Sequence, residues 1–207
     1  MRILLTGMNG SGKSKLTAEL VERGYRAIDL DDPEWSEFRL LGEDGLASGV
    51  PPMRDWVWRE ERVAALLRTA QEETLFLSGT ASNQRRFHRQ FDFVVLLTAP
   101  AAVTTARLVN RTTNSFGRHP DERATILENK ATFEPVMQAS ADLTIDTDEP
   151  METTIERLLN LVAFGADGGD RRHVTIEAAA SAGPRTSPAT PGTASTGPLD
   201  APAGDAR

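Results

Sequence analysis

Near its amino terminus the chain reads Gly7-Met8-Asn9-Gly10-Ser11-Gly12-Lys13-Ser14, the spacing G-x-x-x-x-G-K-[ST]. Each residue type there suits a polyphosphate. Small residues let the backbone curl so that successive N–H groups point inward at phosphate oxygens. A helix opening near Lys13 adds the positive end of its dipole. Lys13 can reach the β- and γ-phosphates, and the Ser14 hydroxyl can complete the shell of a Mg²⁺ ion. An apolar run precedes the motif and a helical pattern follows it, as a phosphate-binding loop requires. The motif predicts nucleotide binding. It leaves open which class of nucleotide-binding protein this is.

Two further clusters narrow the choice. Asp29-Leu30-Asp31-Asp32-Pro33 closes the second apolar run. Strand alternation points Asp29 and Asp31 to one side, ~6.6 Å apart, and Asp32 away. Ligands of parallel α/β sheets sit at the carboxyl ends of strands. A phosphoryl-transfer site needs one carboxylate near Mg²⁺ and another that orients or deprotonates an acceptor hydroxyl. Asp32 reads instead as the cap of a short helix starting at Pro33. The second cluster is Arg107-Leu108-Val109-Asn110-Arg111, with its arginines on one helix face. A polar insert over 112–120 follows, carrying Arg118 and a possible hinge at Gly117. Arginines on a mobile insert can close over a transferring phosphoryl group and exclude water. The basic run Arg85, Arg86, His88 and Arg89 reads as a solvated helix face, and Arg54 and Arg59 as possible anion clamps.

Positioning these groups takes an α/β domain. Apolar and β-branched runs over 2–6, 25–30, 74–78, 93–98 and 143–145 predict five strands of a mainly parallel sheet. Helical patterns fall at 13–23, 55–70, 101–111, 121–140 and 151–162. The segment 31–54 reads as a short helix followed by a mobile loop. Of the 207 residues, 1–163 form the expected domain, and 164–207 read as a disordered tail rich in Ala, Gly, Pro, Ser and Thr. The net charge is −7, nearly all of it in the domain, which argues against a nucleic-acid or anionic-membrane partner. No cysteine is present, so disulfides, thiolate metal sites and cysteine nucleophiles are excluded. Three histidines are too few and scattered for a histidine metal cluster. With neither a signal-like nor a membrane-spanning run, a cytoplasmic location is expected.

In order along the chain, the Gly-rich loop, the Asp-x-Asp and the Arg-x-x-x-Arg before an insert resemble the adenylate kinase and shikimate kinase branch of P-loop kinases. The likeness covers residues 1–163. Leu5-Thr6-Gly7-Met8, Leu77-Ser78-Gly79, Ala81-Ser82-Asn83-Gln84 and Arg111-Thr112-Thr113-Asn114 also resemble a bacterial group described as AAA-family or adenylate-kinase-like ATP-binding proteins. The resemblance implies a three-layer P-loop fold with a five-stranded parallel sheet in order 2-3-1-4-5 and a small lid at 112–120. It implies that Asp29 holds Mg²⁺ through water and that Asp31 holds the acceptor. Arg107 would stack near the adenine, Arg111 would contact phosphates, and the turn 146–150 would lie near the base. The third strand ends Leu77-Ser78-Gly79-Thr80, without the Asp of an ordinary Walker B strand. Shikimate and gluconate kinases share that feature. The arginine pattern and Gly-Gly-Gly turn that bind shikimate are not clearly present, and neither is a sensor arginine of AAA+ motors.

The expectation is therefore a kinase using ATP and Mg²⁺, acting on a small hydroxyl- or phosphate-bearing metabolite as a monomer or homodimer. Lys13, Asp31 and Arg111 are its expected catalytic residues. The loop from Gly7 to Ser14, with Arg107 and Arg118, binds ATP, and Ser14 and Asp29 hold the metal. A regulatory ATPase with a protein partner is the alternative, and a polynucleotide or toxin-type kinase a third.

Overall fold

The computed structural model describes residues 1–40, 54–69, 73–112 and 116–168. Strands β1 (Arg2–Thr6), β2 (Arg26–Asp29), β5 (Leu75–Ser78), β6 (Phe93–Thr98) and β7 (Leu143–Asp146) form one sheet in the order β2-β5-β1-β6-β7. Every pairing is parallel, with Leu4 beside Leu77 and Ile3 beside Phe93. Numbered among themselves these strands run 2-3-1-4-5, the order the resemblance implied. The central strands are apolar along their interiors, with polar residues only at their ends, because helices cover both faces of the sheet. On β1, Ile3 and Leu5 face one core with Leu16, Leu20, Ile155 and Leu158, whereas Leu4 faces the other with Val63, Leu67 and Phe87. The first core lies under α1 (Lys13–Glu22) and α5 (Met151–Ala166). The second lies under α2 (Glu60–Thr69) and a 3₁₀ helix (Gln84–Gln90). No helix among the described residues is long and apolar enough to cross a membrane.

The structure departs from the sequence expectation between β2 and α2. Asp32 caps a single turn, taking the Glu34 amide on its side chain at 2.9 Å, and the chain then enters β3 (Ser36–Leu40). This strand pairs antiparallel with β4 (Arg54–Trp58), so the expected helix over 55–70 begins five residues late, at Glu60. Trp56-Val57-Trp58 is a short apolar run in which Val57 and Trp58 are both buried, Trp58 fully, against α2 and the 3₁₀ helix. Burial of that indole and pairing with β3 override the helical reading.

α3 (Ala101–Val109) ends two residues before Arg111, which therefore leaves the helix face it was expected to share with Arg107. α4 (Pro120–Gln138) starts on a proline, with the His119 ring accepting from the Asp121 amide at 3.4 Å. α5 runs past the expected domain end at 163, and the Phe164 ring packs 6.5 Å from Phe93. The rest of the expected tail, 169–207, lies outside the described residues, as does 113–115 of the expected lid.

Candidate active site

The loop between β1 and α1 is built on glycines that no other residue could replace cheaply. Gly7 has φ 154°, and a side chain there would collide with the Leu97 carbonyl on β6. Gly12 caps α1 in the left-handed region at φ 97°. Met8 O accepts the Ser11 amide at 3.1 Å, which closes the curl. Lys13 turns back beneath it, and its ammonium donates to Gly7 O at 2.5 Å and stands 3.9 Å from Asp31 Oδ2. Burial pushes that ammonium below its ordinary pKa; Asp31 and Asp29 pull it up, and Arg111 presses it down further. Lys13, Asp29, Asp31 and Arg111 thus share one electrostatic neighbourhood.

The two carboxylates have different partners. Asp29 Oδ2 accepts the Ser14 hydroxyl at 3.0 Å, and its Oδ1 accepts the Asp31 amide at 3.0 Å. Asp31 Oδ1 accepts the Thr80 amide at 2.9 Å. Burial pushes the Asp31 carboxyl above its ordinary range, against Lys13, the Thr80 amide and Trp56, while Asp29 adds to the rise. Both members of the Lys13–Asp31 pair are driven toward their neutral forms, so desolvation outweighs their attraction.

Arg107 is occupied. It donates to Gly10 O at 3.2 Å, Thr147 Oγ1 at 2.7 Å and Thr147 O at 2.6 Å. Thr147 in turn donates to Ser11 O at 2.8 Å. The arginine therefore latches the phosphate loop to the turn after β7, the region the resemblance placed near the adenine. Arg118 is exposed and donates to the Arg111 carbonyl, at 2.9 Å from Nε. Gly117 is no free hinge here: it is buried, with φ 91°, and a side chain would meet Leu108 at 2.9 Å and Ile126 at 3.0 Å. Arg59 is tied to Glu37 at 2.6 Å and to Pro33 O, so it does not serve as an anion clamp in this arrangement. Arg85, Arg86 and Arg89 are exposed, and Arg86 pairs with Glu60.

Sequence reasoning missed Thr80, Gln84, Thr147 and Trp56. The Thr80 hydroxyl donates to Gly7 O at 2.7 Å, and Thr6 donates to Gln84 Oε1 at 3.1 Å, which pins the start of the loop to the end of β5. Thr80 stands just beyond a central strand's carboxyl end, a position that by itself marks a ligand edge. The set fits a nucleoside triphosphate. A curled backbone, a buried ammonium, a buried Ser11 hydroxyl without a partner, and a Ser14–Asp29 pair of hard oxygen donors converge on one edge of the sheet.

Fold and site together define an α/β phosphate-loop protein with the P-loop kinase arrangement of strands. Residues 3–128 match the model of the AAA domain family, and the chain belongs to that family. It is 27% identical over 175 residues to shikimate kinase 2 of Yersinia enterocolitica, covering 78% of this chain and 95% of that one. Among solved structures it resembles shikimate kinase from Acinetobacter baumannii in complex with shikimate (TM-score 0.51, 18% identity, 79% of this chain and 93% of that one). It also resembles shikimate kinase from Bacteroides thetaiotaomicron (TM-score 0.52, 21% identity, 79% and 98%). These likenesses establish the fold.

Proposed function

We propose that this protein is a kinase that transfers the γ-phosphoryl group of Mg·ATP to a small hydroxyl- or phosphate-bearing metabolite. The observation that carries this reading is the division of labour between the carboxylates. Asp29 is bonded to Ser14 at 3.0 Å, whereas Asp31 stands beside Lys13 at 3.9 Å. The shikimate kinase relative supports the same class. Ser14 and Asp29 would hold Mg²⁺, which would supply neutralisation of the phosphate charge when bound. Lys13 exchanges the Gly7 carbonyl for phosphate oxygens. For an alcohol acceptor, Asp31 accepts the hydroxyl proton as the oxygen bonds to the γ-phosphorus. The bond from phosphorus to the bridging oxygen breaks, and ADP leaves with its electrons. Arg111 stabilises the transferring charge. A cytoplasmic monomer or homodimer belongs to the same proposal.

The test is a pooled-metabolite incubation with ATP and Mg²⁺, read by mass for a phosphorylated product. Lys13→Ala should lower turnover on the order of a hundredfold or more. Asp31→Asn should lower transfer by about 10²–10⁴-fold while calorimetry finds Mg·ATP affinity within a few-fold of wild type. ATP hydrolysis without any phosphorylated product, indifferent to Asp31→Asn, would move the regulatory ATPase reading ahead.

A further inference from the structure

α4 has 19 residues, yet Ile126, in its first half, is the one among them that is buried. In the second half Phe133 and Val136 are each half exposed. A helix packed on a sheet ordinarily buries a continuous apolar stripe, and this one does not. Its second half bonds instead to Thr98, the last residue of β6. The Thr98 hydroxyl donates to Glu134 Oε1 at 2.8 Å. Lys130 donates to that hydroxyl oxygen at 3.3 Å and also to Glu134 Oε2, so the three side chains close a ring. The Lys130 side chain is 12% exposed and that of Glu134 19%. An ion pair so far removed from water is a poor source of stability, because desolvation offsets the attraction; fixing a position is its best-attested use.

The main chain of Thr98 faces the nucleotide site. Its carbonyl accepts the Thr147 amide at 2.8 Å and lies 3.0 Å from the Thr147 hydroxyl. That hydroxyl also reaches Ser11 O in the phosphate loop at 2.8 Å. A trans peptide sets C=O and N–H on opposite sides, so holding the Ser11 carbonyl turns the Gly12 N–H away from Thr147. A phosphate cradle depends on amides whose direction is fixed in this way. An unbroken series of bonds thus runs from the Lys130–Glu134 pair through Thr98 and Thr147 to the loop.

We propose that Lys130 and Glu134 are positioning residues of the nucleotide site. Through Thr98 they set the place of Thr147, and through Thr147 that of the phosphate loop, without touching the nucleotide themselves. The inference rests on the nucleotide-binding half of the kinase reading and holds for any acceptor.

The experiment is calorimetric titration of the full chain with Mg²⁺ and a nonhydrolysable ATP analogue, beside a thermal melt of each variant without nucleotide. Thr98→Val removes the hydroxyl, keeps the shape and leaves the ion pair of α4 in place. It should weaken the analogue about tenfold, and Thr98→Ser, which keeps the hydroxyl, should recover most of that loss. Lys130→Met combined with Glu134→Leu removes both charges together, since removing one would strand the other. That double variant should melt near the wild type and show a similar loss of affinity. Should it not fold, the two Thr98 variants decide the matter. Thr98→Val placed on Thr147→Val should cost little beyond Thr147→Val alone, because the bond to Ser11 is already gone. A ring that serves the fold alone would lower the melting temperature and leave the affinity unchanged, and that outcome overturns the proposal. So do equal losses from Thr98→Val and Thr98→Ser, or additive losses in the Thr147→Val background. If the wild-type protein does not bind the analogue, the phosphate-loop reading falls and takes this inference with it. Binding of the analogue without any phosphorylated product from ATP would sink the kinase reading alone and leave the inference standing.

Discussion

Asp31 sits where a carboxylate is costly to bury and useful to have. Burial raises its pKa above the ordinary 3.8, and Lys13 at 3.9 Å holds it down. A higher pKa makes a better acceptor for an alcohol proton, but only the ionised form can accept one. In the proposed role, Asp31 is protonated and idle below the raised value and available as the base above it. Turnover should therefore climb with pH through a point above 3.8 and then level off. Asp31→Asn should remove that limb together with a factor of about 10²–10⁴ in rate. The check is kcat against pH under saturating substrates, and a limb at or below 3.8 would assign the base elsewhere. The loop, Asp29 and Asp31 were legible in the sequence because their chemistry lies in two short local runs. Thr80 was not, because the bond that gives it a role spans 73 positions, and the one from Thr147 to Ser11 spans 136. No local spacing encodes such contacts; the sheet order creates them.

The same limit acts on whole elements. The strands of the parallel sheet were legible because each carries its own apolar run, which needs no knowledge of its neighbour. The β3–β4 pair was not, because Ser36-Glu37-Phe38-Arg39-Leu40 reads as a strand only once Trp56 stands across from Phe38. The Arg107 latch is a contact between elements in this sense, joining α3, the phosphate loop and the turn after β7. Its fork reaches three acceptors at once, a geometry an ammonium cannot reproduce. Arg107→Ala should release the loop and weaken Mg·ATP about tenfold, equivalent to ~1.4 kcal/mol. Arg107→Lys should recover little of that loss. Calorimetric titration of both variants decides it, and a lysine variant as tight as wild type would reduce the latch to a simple positive charge.

At the scale of the molecule, the question is where the folded unit ends. Composition put the boundary after residue 163, where Ala, Gly, Pro, Ser and Thr take over. α5 continues to Ala166, and its last turn packs on the strand edge of the core. Phe164 rests against Phe93, and Gly165 approaches so closely that a side chain would begin 2.6 Å from Phe93 and 2.7 Å from Met1. Composition could not reveal this, because a glycine that permits close packing and a glycine in a linker are the same letter. A chain ending at Gly168 keeps these contacts, whereas one ending at Ala163 loses them. Removing the partly buried Phe164 should cost about 1–2 kcal/mol. For a domain of this size that lowers the melting temperature by roughly 2–8 °C. The chain ending at Gly168 should melt with the full-length protein and turn over at its rate, since it keeps both apolar cores together with Phe164, which packs against the first. Thermal melts of the three lengths side by side test both halves. Equal melting of the two truncations would return the boundary to 163, and a large loss in the longer one would show that 169–207 contributes to the folded domain.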